Sequence, residues 1–316
     1  MFRLPYVPTS KELIDNAFRA GRKEAKKARS TGKRREVRMK QSDFRRVEEA
    51  SKFIESSLKA VVKNFPSFDA LNPFYRSLLN IKVDRNQYKK SLGAVNWCLD
   101  KVVELRRREL ASIRRDQSSG KEFLGRTSSF VKRISKDLDF LIHVKQVIRS
   151  FPTLEDAPTI VVAGFPNVGK STFVRNLTGS DIEVKHYPFT TKDIMVGHVE
   201  VRHVRHQIID SPGLLDRPMS ERNKIELQAI ASLEHLANKI LFILDPTQDI
   251  EPQIRLLGEV SGLFSVGVFV AVNKVDSVPG DRIERIKSLL PSKEVYGFSA
   301  NNPVECAGVF GWVRGA

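Results

Sequence analysis

Eight residues, Gly164-Phe165-Pro166-Asn167-Val168-Gly169-Lys170-Ser171, follow directly on the short β-branched run Thr159 to Ala163 and precede a helical pattern from Thr172 to Leu177. Strand, then G-x-x-x-x-G-K-[ST], then helix is an order few folds can supply. The glycines let the backbone wrap close around an anion and aim its N–H groups inward, and the helix N-terminus adds partial positive charge. The surrounding sequence has the matching texture. Short apolar runs at Gln207 to Asp210, Ile240 to Asp245 and Val266 to Val272 alternate with helical patterns, as parallel strands joined by crossover helices do.

Upstream the pattern changes. From Thr9 to about Ser150 the chain reads as long helices. Thr9 stands three residues before Glu12, the spacing of a capping box, and opens a basic stretch that runs to Gly32. A second helix is expected from near Ser42 to Pro66, a short one over Pro73 to Leu79, a long third from about Asp84 to Gln117 and a fourth from Thr127 to Arg149, each with apolar residues at three- and four-residue intervals. Together they imply a bundle of antiparallel hairpins. Phe151-Pro152 and Ala157-Pro158 bracket a linker, which divides the chain into a helical domain, 1–152, and an α/β domain, 153–316.

Charge divides at nearly the same place. Residues 1–150 carry a net charge of +19 and residues 151–316 carry −3. Such asymmetry implies a polyanionic partner for the first half, nucleic acid or an anionic membrane surface. Arg22, Lys23, Lys26, Lys27, Arg29, Lys33, Arg34, Arg35 and Arg38 form one dense group, and Arg106, Arg107, Arg108, Arg114 and Arg115 a second. Phosphates would relieve their mutual repulsion. Tyr6, Tyr75, Tyr88 and Trp97 fit either a core or a base-stacking platform. The hydrophobic fraction, 41%, excludes a disordered chain, and two distant cysteines, Cys98 and Cys306, exclude a disulfide framework or a zinc site. With no apolar h-region and no run approaching a membrane span, a cytoplasmic location is expected, nucleolar if the source is eukaryotic.

Further along the second half, four short elements sharpen the ligand. Lys170 would reach the β- and γ-phosphates, within a cradle of Gly164, Asn167, Val168, Gly169, Lys170, Ser171 and Thr172, and Ser171 would ligate Mg²⁺. Asp210-Ser-Pro-Gly213 ends an apolar strand, so Asp210 could hold the metal through water while the Gly213 N–H meets the γ-phosphate. Thr190 and Thr191 lie before the run Ile194 to Val201, where a threonine can sense metal and γ-phosphate. Asn273-Lys274-Val275-Asp276 follows the strand ending at Val272; the Asp276 carboxylate can accept from both the ring N–H and the exocyclic amine of guanine, and adenine would leave it unpaired. Asn273 would support loop and base, the Lys274 stem would cover the base face, and Ser299-Ala300 would offer N–H groups to the guanine oxygen. GTP is the ligand these elements imply, with GDP as its product.

The run G-F-P-N-V-G-K-S, then Tyr187-Pro-Phe-Thr-Thr191, then D-S-P-G-L-L-D resembles the Obg-like GTPases. A basic helical domain joined to the nucleotide domain is similar, within them, to the nucleolar GTP-binding protein (Nog) branch and its short archaeal relatives. That resemblance implies a P-loop GTPase domain with a mostly parallel six-stranded sheet behind an all-α bundle, GTP hydrolysis, and a role in maturation of the large ribosomal subunit with binding to ribosomal RNA. Lys170, Thr191, Gly213 and Asn167 then form the catalytic set, and Ser171, Thr191 and Asp210 the metal set. Leu214 occupies the place where many GTPases carry a water-orienting Gln, so intrinsic hydrolysis should be slow. Asn167 matches an asparagine that helps hold K⁺ beside the phosphates in related GTPases, which makes K⁺ a candidate cofactor; Asn167 could equally serve the loop backbone alone. A GTP-dependent switch at an anionic membrane is the competing reading, set back by the absence of a lipidation signal or a sustained apolar face on the basic helices. No stable membrane association and a monomer in isolation are expected.

Overall fold

In the computed structural model the described residues are 3–30, 34–117, 120–152, 154–179, 182–187, 193–210 and 213–315. They form two compact units, one of residues 1–71 and 82–149, the other of residues 72–81 and 150–316. A single cut after residue 152 therefore does not separate them: the segment 72–81 packs with the second unit. Its Tyr75 hydroxyl donates to the Pro152 carbonyl at 3.0 Å and accepts from the Leu154 N–H at 3.1 Å, contacts that no periodicity could foretell.

Among its described residues the first unit is all helix: α1 (Ser10–Arg29), α2 (Arg35–Asn64), then, beyond the segment 72–81, α4 (Arg85–Arg114), α5 (Lys121–Arg133) and α6 (Ser135–Arg149). Thr9 caps α1 as expected, accepting from the Glu12 N–H at 3.2 Å while Glu12 accepts from the Thr9 N–H at 2.9 Å. Leu13, Ala17, Gly21 and Ala25 recur every fourth residue and form the buried stripe of α1. Gly21 faces Arg46 and Ala50, and Arg29 Nε donates to Ser42 Oγ, so α1 and α2 run antiparallel. The same holds for α2 and α4, where Arg106 pairs with Glu55 and the Tyr88 hydroxyl meets the Pro66 carbonyl. Val47, Ala50, Leu105, Ile113 and Phe123 close a core between α2, α4 and α5.

Two helices differ from expectation. α2 begins at Arg35, ahead of Ser42, because its first turns are basic and mostly exposed and so carry no apolar period. The fourth helix is two, divided at the buried Ile134; its first part starts at Lys121.

The second unit holds α3 (Pro73–Lys82, up to Ile81) and a sheet of seven strands, β1 (Thr159–Ala163), β2 (Ile182–His186), β3 (Asp193–Val201), β4 (Val204–Asp210), β5 (Lys239–Leu244), β6 (Gly267–Val272) and β7 (Val295–Gly297). Their order is β2-β3-β4-β1-β5-β6-β7. The sheet is mostly parallel, as expected, but has seven strands among the described residues rather than six. The addition is β2, an edge strand antiparallel to β3 whose Glu183 and Lys185 interrupt the apolar signal. Charged edge residues discourage pairing with another chain. Helices α7 (Lys170–Thr178), α8 (Lys224–Ser232), α9 (Ile250–Leu263), α10 (Gly280–Ser288) and α11 (Pro303–Gly315) complete the unit.

β1 lies centrally, with β4 parallel on one side and β5 parallel on the other. The chain thus reverses its direction of travel across the sheet at the end of β1, the position where open α/β sheets form a crevice at the carboxyl ends of their strands. Fixing the loops there is a core of Val162, Val168, Phe173, Ile208, Ile243, Phe298 and their neighbours, with Phe173 and Phe298 edge to face at 5.7 Å.

Candidate nucleotide site

Gly164 to Gly169 leave the end of β1 as a tight loop, and Gly169 caps α7 in the left-handed region with φ 99°. A Cβ on Gly164 would lie 2.3 Å from the Ile243 carbonyl oxygen, and one on Gly169 would lie 2.2 Å from Asn273 Nδ2. Both positions require glycine for space as well as for their positive φ. Asn167 also has positive φ, 65°, which asparagine tolerates better than most residues. Its carbonyl accepts from Lys274 Nζ at 3.2 Å and the residue is exposed.

Lys170 is buried and folds back along the loop, donating to the carbonyls of Gly164 and Phe165, both at 2.7 Å. Burial pulls its pKa down, while the Asp210 and Asp216 carboxylates act the other way. Ser171 Oγ donates to Asp210 Oδ2 at 2.5 Å. Burial pushes the Asp210 carboxyl up, against the Ser171 hydrogen bond and the nearby Lys170, and the Asp216 charge adds to the rise. Its other oxygen, Oδ1, is buried without a hydrogen-bond partner. A hydroxyl touching a carboxylate with one orphaned oxygen suits a hard divalent cation, which takes oxygen ligands. Register explains the meeting: Val162 pairs with Asp210, so the ends of β1 and β4 lie side by side.

Beyond β4, Gly213 has φ 77°. Its N–H, the expected phosphate donor, is taken by Asp216 Oδ2 at 2.6 Å, and its carbonyl accepts from Arg222 Nη1 at 2.9 Å. Leu214 is fully buried. Thr190, Thr191 and Lys33 lie outside the described residues. Tyr187, just before the threonines, is fully buried; its hydroxyl lies 2.8 Å from the Ala229 carbonyl and 2.9 Å from Ser232 Oγ on α8, and its ring faces Phe74 of α3 with centroids 6.4 Å apart.

Asn273, just after β6, ties the phosphate loop to the Ser299–Ala300 turn. Its Nδ2 donates to the Val168 carbonyl at 2.7 Å and its Oδ1 accepts from the Ala300 N–H at 2.6 Å, all within the protein interior. Lys274 crosses the phosphate loop and ends 2.5 Å from Asp245 Oδ2. Asp276 is exposed. Both N–H groups assigned to the guanine oxygen already have acceptors, Glu305 Oε2 for Ser299 at 2.7 Å and Asn273 for Ala300.

Sequence reasoning missed Asp245, Asp216, Arg222 and Glu305. Asp245, fully buried at the end of β5, also accepts from the Thr247 N–H and hydroxyl and from Gln248. Burial alone would raise its pKa, but the Lys274 bond and the Thr247 and Gln248 donors bring it below the usual carboxylate range. The D-x-T-Q run after an apolar strand carried the only signal for it.

Four loops at the carboxyl edge of a mostly parallel sheet, centred on a phosphate loop and preceded by an all-helical unit, define a P-loop GTPase domain with an N-terminal helical domain. Residues 159–274 match the family model described as 50S ribosome-binding GTPase, and residues 2–155 match that of the NOG1 N-terminal helical domain. A protein of Methanocaldococcus jannaschii is 38% identical over 293 residues, 89% of this chain and 82% of its own length. The nucleolar GTP-binding protein 1 of Drosophila melanogaster is 36% identical over 259 residues, and that of Saccharomyces cerevisiae is likewise 36% identical over 259 residues; in each, the match covers 78% of this chain and 40% of the relative. The chain belongs to the nucleolar GTP-binding protein 1 (NOG1) family. It spans less than half the length of those two nucleolar relatives.

Proposed function

We propose that this chain binds and hydrolyses GTP and acts in assembly of the large ribosomal subunit, with its helical half as the contact to ribosomal RNA and to the precursor particle. The observation that carries the nucleotide reading is the convergence of Lys170, the Ser171–Asp210 pair and the Asn273 clamp on one loop. Lys170, now on loop carbonyls, has only to turn its ammonium outward to meet phosphate oxygens. Ser171 and Asp210 would hold Mg²⁺, which when bound neutralises phosphate charge. Asp276 would read the guanine edge, and Lys274, held taut by Asp245, would cover the base. Leu214 has no group to orient a water, so the intrinsic rate is slow, and K⁺ held beside Asn167 would supply part of the missing positive charge.

The RNA reading rests on two grooves within the first unit. Arg22, Lys26 and Arg29 line one between α1, α2 and α5, where Arg46 is held by Asp43 at 3.0 Å, and Lys101, Arg108 and Arg126 line another beside Glu104 and Phe130. Arg106 is not part of such a surface, because it is paired with Glu55 at 2.9 Å in a half-buried setting. Of the four aromatic candidates, Tyr88 is core and Tyr75 is an anchor of the second unit; Trp97 packs edge to face on Phe130 beneath Arg133, and Tyr6 is exposed. Titration of GTP and ATP with Mg²⁺ into the purified chain tests the nucleotide reading: GTP should bind and ATP should not, and equal heats would refute it. Gel shift with ribosomal RNA set beside flotation with anionic liposomes tests the partner: flotation without a shift would transfer the reading to membranes.

A further inference from the structure

Asp216 accounts for something the nucleotide motifs leave over. It stands three residues past Gly213 with its side chain 15% exposed, and its Oδ2 accepts the Gly213 N–H at 2.6 Å. Its Oδ1 is buried without a hydrogen bond and lies 3.5 Å from Arg222 Nη2, whose side chain is 1% exposed. Arg222 is itself pinned, donating to the Gly213 carbonyl at 2.9 Å and the Arg217 carbonyl at 3.3 Å. The Asp216 charge also reaches Lys170 and Asp210. So an anionic oxygen rests on the donor that a γ-phosphate would use, within the field of the lysine that a γ-phosphate would meet. Gly213 has one N–H to give, and two anions cannot share it at short range.

We infer that Asp216 is the residue that sets the preference between triphosphate and diphosphate: its carboxylate stands on the Gly213 N–H in place of a terminal phosphate, and GTP must displace it whereas GDP leaves it undisturbed. Arg222 gives the displaced carboxylate a place to go, since it already lies 3.5 Å away and keeps its two carbonyl acceptors. The resting state of the site is then the diphosphate state. A charge on the assembling particle that draws Asp216 aside would raise affinity for GTP without touching the nucleotide. A purely local turn cap, the simpler role for a carboxylate three residues past an N–H, would leave the ratio of the two affinities alone.

This inference rests on the guanine-nucleotide reading above. The affinities of GDP and of a non-hydrolysable GTP analogue, each with Mg²⁺, are measured for the wild-type chain, Asp216→Ala and Asp216→Asn. Removing a charged acceptor from the N–H should raise the ratio of analogue to GDP affinity by about tenfold or more in Asp216→Ala, with GDP itself little changed. Asp216→Asn keeps an oxygen but loses the charge and should fall between; if the alanine variant fails to fold, a rise of about threefold in the asparagine variant carries the same weight. A wild-type ratio retained in the folded variants, or a lowered one, overturns the inference while leaving nucleotide binding intact. A wild-type chain that binds neither nucleotide overturns the functional reading, and this one with it.

Discussion

Replacing Asn273 by alanine removes a side chain that is 2% exposed and holds two backbone groups, the Val168 carbonyl and the Ala300 N–H. Neither group gains another partner from the methyl that remains. An unsatisfied buried polar group costs about 1–3 kcal/mol, so the pair should cost roughly 2–4 kcal/mol once some water enters the vacated space. For a unit of this size each kcal/mol moves the melting temperature by about 2–4 °C, which puts the expected fall on the order of 5–15 °C. Thermal unfolding followed by circular dichroism and by calorimetry, without nucleotide, reads it directly. Asn273→Asp keeps an acceptor for Ala300 but sets a buried carboxylate oxygen against the Val168 carbonyl, so it should fall at least as far. Asp276→Ala is the control, since Asp276 is exposed in the same loop and its loss should leave the melting temperature within about 1 °C. A melting temperature for Asn273→Ala equal to wild type would refute the clamp, and with it the claim that base and phosphate loops are fixed to each other before any ligand arrives.

Asp276→Asn should shift preference from GTP toward XTP, whose carbonyl replaces the exocyclic amine; competition binding that still favours GTP fully would remove Asp276 from the base pocket. Exchanging K⁺ for Na⁺ should slow multiple-turnover hydrolysis, and equal rates would dismiss the Asn167 cation. Because the Asp245 carboxyl is held below its unfolded value, its contribution to stability is present above that value, about pH 4, and is lost as pH falls through the folded one. The melting-temperature gap between wild type and Asp245→Asn should therefore stay level from pH 7 to about pH 5 and close in stronger acid, where a constant gap would show that charge is not its source. Arg22→Gln with Lys26→Gln, both in the groove beside α5, should weaken RNA binding and flatten its dependence on salt by about two units of slope. An unchanged slope would place the phosphates elsewhere.

The phosphate loop, the strands behind it and the helical nature of the first half were legible because each leaves a local trace: a fixed spacing, a β-branched run, an apolar stripe. The contacts that complete the site leave none. Asp216 meets Gly213 through a turn, Glu305 meets Ser299 from the start of α11, and Asp245 meets Lys274 from the next strand over. These depend on where loops land once the sheet has formed, and the sequence shows only acidic residues among many. β2 was missed for a related reason. An edge strand buries little, so its charged residues mask the alternation that betrays an inner strand. The early start of α2 was hidden by the same rule applied to a helix: where nothing packs, nothing is periodic.

The embedding of residues 72–81 in the second unit has a consequence for how such a chain can be taken apart. The polypeptide crosses from one unit to the other three times, so no single scission yields two self-sufficient pieces. A fragment beginning at residue 153 would be born without the helix whose Phe74 packs on Tyr187, leaving a hydrophobic wound at that tyrosine. A boundary drawn at one junction therefore cannot carry the whole of the second unit with it.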